Sequence, residues 1–310
     1  MSTAAIRVAY YMDDPGNPYQ RLFYRALEPY GVEVVPGLLI SDDRLRELAD
    51  RVDVIHIHWP EYSWRIRGDR LSAQLRLIAG LGRFLRLARR LGLRVWWTAH
   101  NLVPHEGNRL VNYVGYRTVA SHADLVLAHS DFASARMKRL YGVRRVVVVP
   151  IGNFDGCYPV PRARLDTLRE LGLDPDLPVV SCLGAIRRYK GIKTALDAVA
   201  ALGGRVQLVV AGAMNADVDI RDLWPTAAPP WLRLLPHRLS DQQFADQAEA
   251  SDAILLPYRR ATTSAVLLTA WTLGRGVVAS DLPCFADELT AHPGPEPWRL
   301  LEMRMNLLPP

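Results

Sequence analysis

The chain has 310 residues, 49% of them apolar and 23% charged, which is material for two ordinary domains with their own cores and excludes a disordered or fibrous protein. Its 38 basic side chains outnumber 32 acidic ones, and the surplus sits in the first half: residues 1–150 carry 22 Lys and Arg against 14 Asp and Glu, residues 151–310 carry 16 against 18. The first half therefore has the electrostatics of a segment that meets anions, while the scarcity of aromatic-interleaved basic motifs argues against nucleic acid.

In chain order, short runs rich in Val, Ile and Leu alternate with helix-like segments. The expected strands of the first half are Ile6–Met12, Val32–Ile40, Asp53–His58, Arg94–Thr98, Asp124–Ala128 and Val146–Pro150. Those of the second half are Val179–Leu183, Val206–Ala211, Trp231–Leu235, Asp252–Pro257 and Gly276–Ser280. Helical periodicity falls on Arg70–Leu91, Ala133–Leu140, Gly191–Ala201, Asp241–Ala250 and Ser264–Leu273. Strands apolar on both faces, alternating with helices, predict an α/β fold of doubly wound parallel sheets. The rhythm breaks at Gly152–Pro161, rich in Gly, Asn, Asp and Pro, which predicts two Rossmann-like domains, residues 1–155 and 156–310. Ligands of such sheets bind beyond the carboxyl ends of strands, so the residues that follow each strand are the candidates.

After the first strand come Asp13 and Asp14, an acceptor contact or base on one reading and turn residues on the other. With one glycine in the junction there is no dinucleotide fingerprint. His56 and His58 share one face of the third strand but lack a third ligand at useful spacing. One is expected against the core and the other at a sheet edge, with no metal. The fourth strand ends in Ala99-His100-Asn101, followed by His105-Glu106, and His100 is the first-half candidate for catalysis or sugar contact. In the second half, Gly184-Ala-Ile-Arg187-Arg188-Tyr-Lys190-Gly191 follows a strand and opens a helix. A glycine turn with Arg and Lys at a helix start is an anion site, because free N–H groups, the helix dipole and the cations point the same way. Thr263 and Ser264 open another helix, where hydroxyls and backbone amides can both donate to phosphate. The three cysteines, Cys157, Cys182 and Cys284, are too far apart in sequence for a zinc or disulfide framework. Neither a signal-type start nor an uninterrupted apolar run of about 18 residues is present, so a soluble or peripheral cytoplasmic protein is expected.

Four segments, Thr98-Ala-His-Asn101, Leu183–Gly191, Ser251–Tyr258 and Leu273–Asp281, resemble the retaining group 1 glycosyltransferases, and the likeness extends from about residue 5 to residue 290. Within them the chain is similar to bacterial exopolysaccharide mannosyltransferases of the xanthan-assembly kind. The resemblance implies GT-B architecture, two Rossmann-like domains facing across a cleft. It implies acceptor on the first domain and nucleotide-diphosphate sugar on the second, with GDP-mannose the expected co-substrate and no other cofactor. Lys190 then corresponds to the diphosphate lysine, His100 to the histidine that approaches the transferred sugar, and Arg238-Leu239 to the loop that reads the nucleobase. Donor contacts are thus expected from Gly184, Arg187, Lys190, Arg238, Leu239, Thr263, Ser264, Ala265 and Thr269. Catalytic roles are expected of His100, with Asp13, Asp14 or Glu106 as base in an inverting reaction. The acceptor is expected to be a glycan or a polyprenyl-diphosphate-linked sugar.

The chain departs from the family at Ala185, where an Arg is usual, and at Ala261 and Thr269, where the family's glutamate pair falls. Its C-terminal domain looks shortened. These departures leave a second reading open, a non-catalytic nucleotide-sugar-binding subunit of a polysaccharide assembly complex. A nucleotide-sugar epimerase of the same shape is weaker, since its carboxylate and histidine pairs are not evident. Finally, Arg76, Arg83, Arg86 and Arg90 fall within about 80° of one another on the expected helix Arg70–Leu91 at 100° per residue. That is either a surface for anionic lipid headgroups on the inner membrane face or the wetted side of a sheet-covering helix.

Overall fold

The computed structural model describes residues 5–14, 17–65, 71–103, 107–215, 218–223 and 229–291. They form two compact units, Met1–Ile151 and Gly152–Pro310. The division falls a little ahead of the 155/156 boundary expected from composition, because the connecting segment is bonded into the second unit. Phe154 N donates to Thr272 Oγ1 at 3.0 Å, Tyr158 Oη meets Thr269 Oγ1 at 3.3 Å, and Arg162 donates through N and Nε to the buried Asp246 at 2.8 and 2.7 Å.

The first unit runs β1 (Ile6–Tyr11), α1 (Pro18–Leu27), β2 (Val32–Val34), α2 (Asp42–Leu48), β3 (Val54–His58) and α3 (Leu71–Arg90). It continues with β4 (Arg94–Thr98), α4 (Arg109–His122), β5 (Leu125–Ala128), α5 (Asp131–Tyr141) and β6 (Val146–Val148). Its six parallel strands lie in the order β2-β1-β3-β4-β5-β6. The strand expected over Val32–Ile40 ends at Val34, because Pro36 has no N–H to continue the ladder and Gly37 takes a left-handed φ of 88°. Alternation along β3 splits its side chains between the two faces of the sheet. Ile55 and Ile57 join Leu81, Phe84 and Leu85 of α3 in one core, while Val54 joins Tyr24 of α1 and Val32 in another. Along α3 the apolar stripe Ile78, Leu81, Phe84, Leu85 and Ala88 is buried, and Arg76, Arg83, Arg86 and Arg90 are exposed.

The second unit runs α6 (Arg164–Leu171), β7 (Val179–Leu183), α7 (Ile192–Ala200), β8 (Gln207–Ala211), α8 (Ile220–Leu223) and β9 (Leu232–Leu235). It continues with α9 (Asp241–Ala250), β10 (Ala253–Leu256), α10 (Ala265–Thr272), β11 (Gly276–Ala279) and α11 (Pro283–Ala291). Five parallel strands lie in the order β11-β10-β7-β8-β9. Helix starts follow their capping residues: Ser240 and Gln243 form a capping box on α9, and Ser264 Oγ accepts from Leu267 N on α10.

Strand order fixes where each sheet can open. In the first unit the chain leaves β1 toward β2 and returns to β3 on the other side; in the second it leaves β7 toward β8 and returns to β10. The crevices of doubly wound sheets lie at such reversals, beyond the strands' carboxyl ends. Those points are Met12–Asp14 with Trp59, and Gly184–Gly191 with Tyr258–Ser264.

Candidate functional site

In the second unit the two loops at the reversal are locked together. After β7, Gly184 (φ 84°) leads into a 3-10 turn over Arg188–Lys190, and Gly191 (φ 66°) starts α7. A β-carbon on Gly191 would lie 1.9 Å from the Pro257 carbonyl oxygen, and Arg259 N donates to the Tyr189 carbonyl at 2.8 Å. The loop after β10 therefore packs on the loop after β7 at backbone contact. Between them Lys190 is folded inward, 9% exposed, with Nζ 5.4 Å from the centre of the Tyr258 ring. Burial, with the nearby Arg187 guanidinium second, lowers its ammonium to about 8, so the site holds a cation with little water around it. Tyr258 also lies beside Ser264, which makes the ring a shared neighbour of Lys190 and Ser264. On the outer side Arg187, Arg188 and Arg259 line a cavity of about 310 Å³ with Ile186, Val218 and Leu223.

The remaining second-half candidates are distributed unevenly. Ser264 is engaged as the cap of α10, and Thr263 Oγ1 donates to Glu288 Oε1 at 3.3 Å. Glu288 on α11 is buried, and that burial pushes its carboxyl up to about 7. Thr269 is buried against the Tyr158 hydroxyl, while Ala265 is exposed at the helix start. Arg238 (exposed) and Leu239 (half-buried) follow β9, an edge strand separated from β7 by β8, so the sheet places them away from the reversal.

In the first unit, the described residues contain two non-glycine positions with positive φ, Met12 (69°) and Trp59 (40°), one beyond β1 and one beyond β3. Left-handed backbone in bulky residues is strained and collects at functional sites. Asp13 and Asp14 are exposed there, on a cavity of about 600 Å³ shared with Tyr10, Gln20, Tyr24 and Arg25. Asn17, not either aspartate, caps α1. Glu106 and His105 lie outside the described residues.

The histidines depart most from expectation. His56 and His58 are both fully buried, neither at a sheet edge, because β3 is an interior strand. His58 Nδ1 meets His100 Nε2 at 3.0 Å, and His100 Nδ1 meets Nε2 of His129 at 3.4 Å. His100 is 8% exposed, both its ring nitrogens are engaged by other imidazoles, and Trp59 stacks on it at 4.0 Å between centroids. Burial holds all four imidazoles below the ordinary histidine value, His56 at about 3 and His129 at about 4. Among the described residues no group of three or more His, Cys, Asp or Glu is arranged to hold a metal ion.

Sequence reasoning passed over Arg259, Tyr258, Glu288 and His129 as site residues. The first two follow a strand and His129 ends the run Leu125-Val-Leu-Ala128, the same signal that singled out His100. Glu288 carries no such signal, since only the packing of α11 brings it to Thr263.

Against known proteins, residues 177–294 match the family described as "Glycosyl transferases group 1". Over 269 residues the chain is 29% identical to "GDP-mannose:glycolipid 4-beta-D-mannosyltransferase" of Xanthomonas campestris pv. campestris, an alignment covering 85% of this chain and 69% of that protein. Among solved structures it is similar to sucrose-phosphate synthase of Thermosynechococcus elongatus, with a TM-score of 0.64, 15% identity, and 90% of this chain and 82% of that one covered. HepE of Anabaena, in complex with UDP and glucose, gives a TM-score of 0.61 at 16% identity, over 91% of this chain and 82% of that one. At these identities the two structures bear on the fold, two parallel-sheet α/β domains of GT-B type.

Proposed function

Since residues 177–294 match the group 1 glycosyl transferase family, we propose that the chain transfers a hexose, mannose from GDP-mannose, from a nucleotide-diphosphate sugar to a glycan or lipid-linked acceptor in polysaccharide synthesis. The observation that carries the reading is the inward-folded Lys190 ammonium at the reversal of the second sheet, beside Arg187 and the starts of α7 and α10. The Xanthomonas relative, named for GDP-mannose and a glycolipid, supports the choice of sugar and acceptor class.

In the reaction the bond from the sugar's anomeric carbon to the diphosphate oxygen breaks and its electron pair leaves with the nucleoside diphosphate. Lys190 and Arg187 meet the charge that gathers there, with Gly184, Thr263, Ser264, Ala265 and the backbone amides at the two helix starts around it. Arg187 or Arg188 takes the place of the arginine that is usual at position 185. On this reading Thr269 meets the ribose, and Arg238 and Leu239, two strands along the sheet from the reversal, meet the far end of the donor, its nucleobase. The acceptor hydroxyl forms the new bond and gives up its proton, to Asp13, Asp14 or Glu106 in an inverting outcome, and His100 serves the sugar or acceptor. The reading calls on no metal and no resident cofactor. It includes an anionic membrane surface met by Arg76, Arg83, Arg86 and Arg90 on the exposed side of α3, on the cytoplasmic face. Among the described residues no helix is long and apolar enough to cross a membrane.

Calorimetry with a panel of nucleotide sugars, paired with transfer assays, tests the reading. GDP-mannose is expected to bind best and to be turned over. Lys190→Ala is expected to lower kcat/KM by about 2–4 kcal/mol, roughly 30- to 900-fold, the range for losing one charge-assisted contact to a leaving group. Unchanged turnover would take Lys190 out of the mechanism. Donor binding with no transfer to any acceptor would favour a non-catalytic binding subunit.

A further inference from the structure

Four buried histidines and one tyrosine form a continuous row across the carboxyl edge of the first sheet. His129 Nδ1 meets the Val149 carbonyl at 3.0 Å; His129 Nε2 meets His100 Nδ1 at 3.4 Å; His100 Nε2 meets His58 Nδ1 at 3.0 Å. His58 Nε2 meets the Tyr24 hydroxyl at 3.1 Å, that hydroxyl meets His56 Nδ1 at 2.8 Å, and His56 Nε2 meets Thr98 Oγ1 at 2.8 Å. A carbonyl oxygen can only accept, so His129 must carry its proton on Nδ1. A neutral His129 then accepts at Nε2, which puts the His100 proton on Nδ1, and the same step repeats at His58. Tyr24 donates to His58 and accepts from His56, and Thr98 donates to the far nitrogen of His56. One arrangement of protons satisfies every contact, and every imidazole in it has the same tautomer.

We propose that His129 and His58 are positioning residues for His100: the row anchored on the Val149 carbonyl holds the His100 ring in the Nδ1–H tautomer, so that Nε2 meets its surroundings only as a hydrogen-bond acceptor. The proposal rests on the transferase reading only in assigning His100 to the reaction; the proton arrangement follows from the row alone. The ring is also held by its flanks. Trp59 stacks on it with planes 13° apart, and Tyr19 meets it edge-on at 4.9 Å. An added proton on His100 or His129 would set N–H against N–H, so the row opposes charge on His100 beyond the effect of burial. The titratable groups facing it are Tyr19 and Tyr24 from α1 and Tyr10 from β1. Asp13 lies 3.5 Å from the Tyr10 hydroxyl, and Glu61, three residues after His58, accepts from Asn101 and Tyr116. A hydroxyl that displaces His58 from Nε2 would find a lone pair there and would have to donate.

The test is the nitrogen-15 spectrum of histidine-labelled full-length protein, which reads the protonation of each ring nitrogen and not turnover. Its failure is therefore distinct from failure of the transferase reading. At neutral pH His100, identified through its contacts with Trp59, is expected to show a protonated Nδ1 and a bare Nε2, with no change as pH falls through the ordinary histidine range. A protonated Nε2, or a ring that charges between pH 6 and 7, would overturn the proposal. His129→Leu removes the acceptor facing Nδ1 and is expected to give His100 a mixture of tautomers, while His129→Gln, whose amide oxygen can accept, is expected to restore the single one. A His100 that keeps Nδ1–H in both variants would also overturn it, and if His129→Leu does not fold, the wild-type and His129→Gln spectra decide.

Discussion

A lysine side chain with 9% of its surface exposed and its ammonium over a tyrosine ring is costly to keep charged, and burial has lowered Lys190 to about 8. A bound diphosphate favours the charged form. Below pH 8 the cation is already present, and above pH 8 the site must take up a proton to bind. Affinity for a nucleoside diphosphate is therefore expected to be level up to about pH 8 and to fall by up to about tenfold per pH unit beyond it, with Lys190→Arg staying level. Calorimetric titration between pH 7 and 9.5 reads this directly, and a wild-type affinity that ignores pH would mean that Lys190 does not meet the anion. Lys190 was legible in sequence from its place after a strand. Its ring partner Tyr258 was not, because the two are brought together by strands β7 and β10, which neighbour each other in the sheet and not in the chain.

At the scale of elements, strands were read to within a residue or two wherever they are interior, since parallel strands covered on both faces are apolar throughout. The edge strand β2 was overestimated because Leu38 and Ile40, beyond the last ladder bond from Val35 N to Val8 O, pack in the core without joining the ladder. Gly184, Arg187 and Lys190 mark the junction between β7 and α7 as a candidate anion loop in the sequence, but the reason for its second glycine is hidden there. Gly191 combines a left-handed φ with a carbonyl where its β-carbon would be, and the obstacle is backbone, which cannot swing aside. Gly191→Ala is expected to destabilise the protein by at least about 2 kcal/mol, more than the 1–2 kcal/mol of left-handed backbone alone, and to separate the loops after β7 and β10. Urea unfolding measures the first effect and nucleotide-sugar titration the second. An alanine variant of wild-type stability would show that the loops do not touch as described.

Taken as whole folded units, the first half of the chain carries an acid liability. Its four buried imidazoles are neutral when folded, with burial holding His129 at about 4, His56 at about 3, and His58 and His100 well below the usual value. In the unfolded chain each takes up a proton near pH 6.5. Between pH 6.5 and about 4 the unfolded state thus binds more protons, and stability is lost as pH falls, by about 1.4 kcal/mol per pH unit for each histidine that stays neutral. Urea midpoints between pH 7 and 5 are expected to drop steeply, and a flat profile would mean that the four rings are not held neutral.

The amino-acid sequence by itself determined the two α/β units, the parallel character of their sheets, the loops that follow the strands and the basic side of α3. These follow from local periodicity, turn residues and charge, all of which act between near neighbours in the chain. Only the tertiary structure decided that β1 and β3, and β7 and β10, are the pairs between which each sheet opens, that the second-half hydroxyls are already engaged by Leu267, Glu288 and Tyr158, and that four histidines from three strands share one row of protons. Strand order and the partners of buried polar groups are set by contacts between residues far apart in the chain. No local pattern carries them.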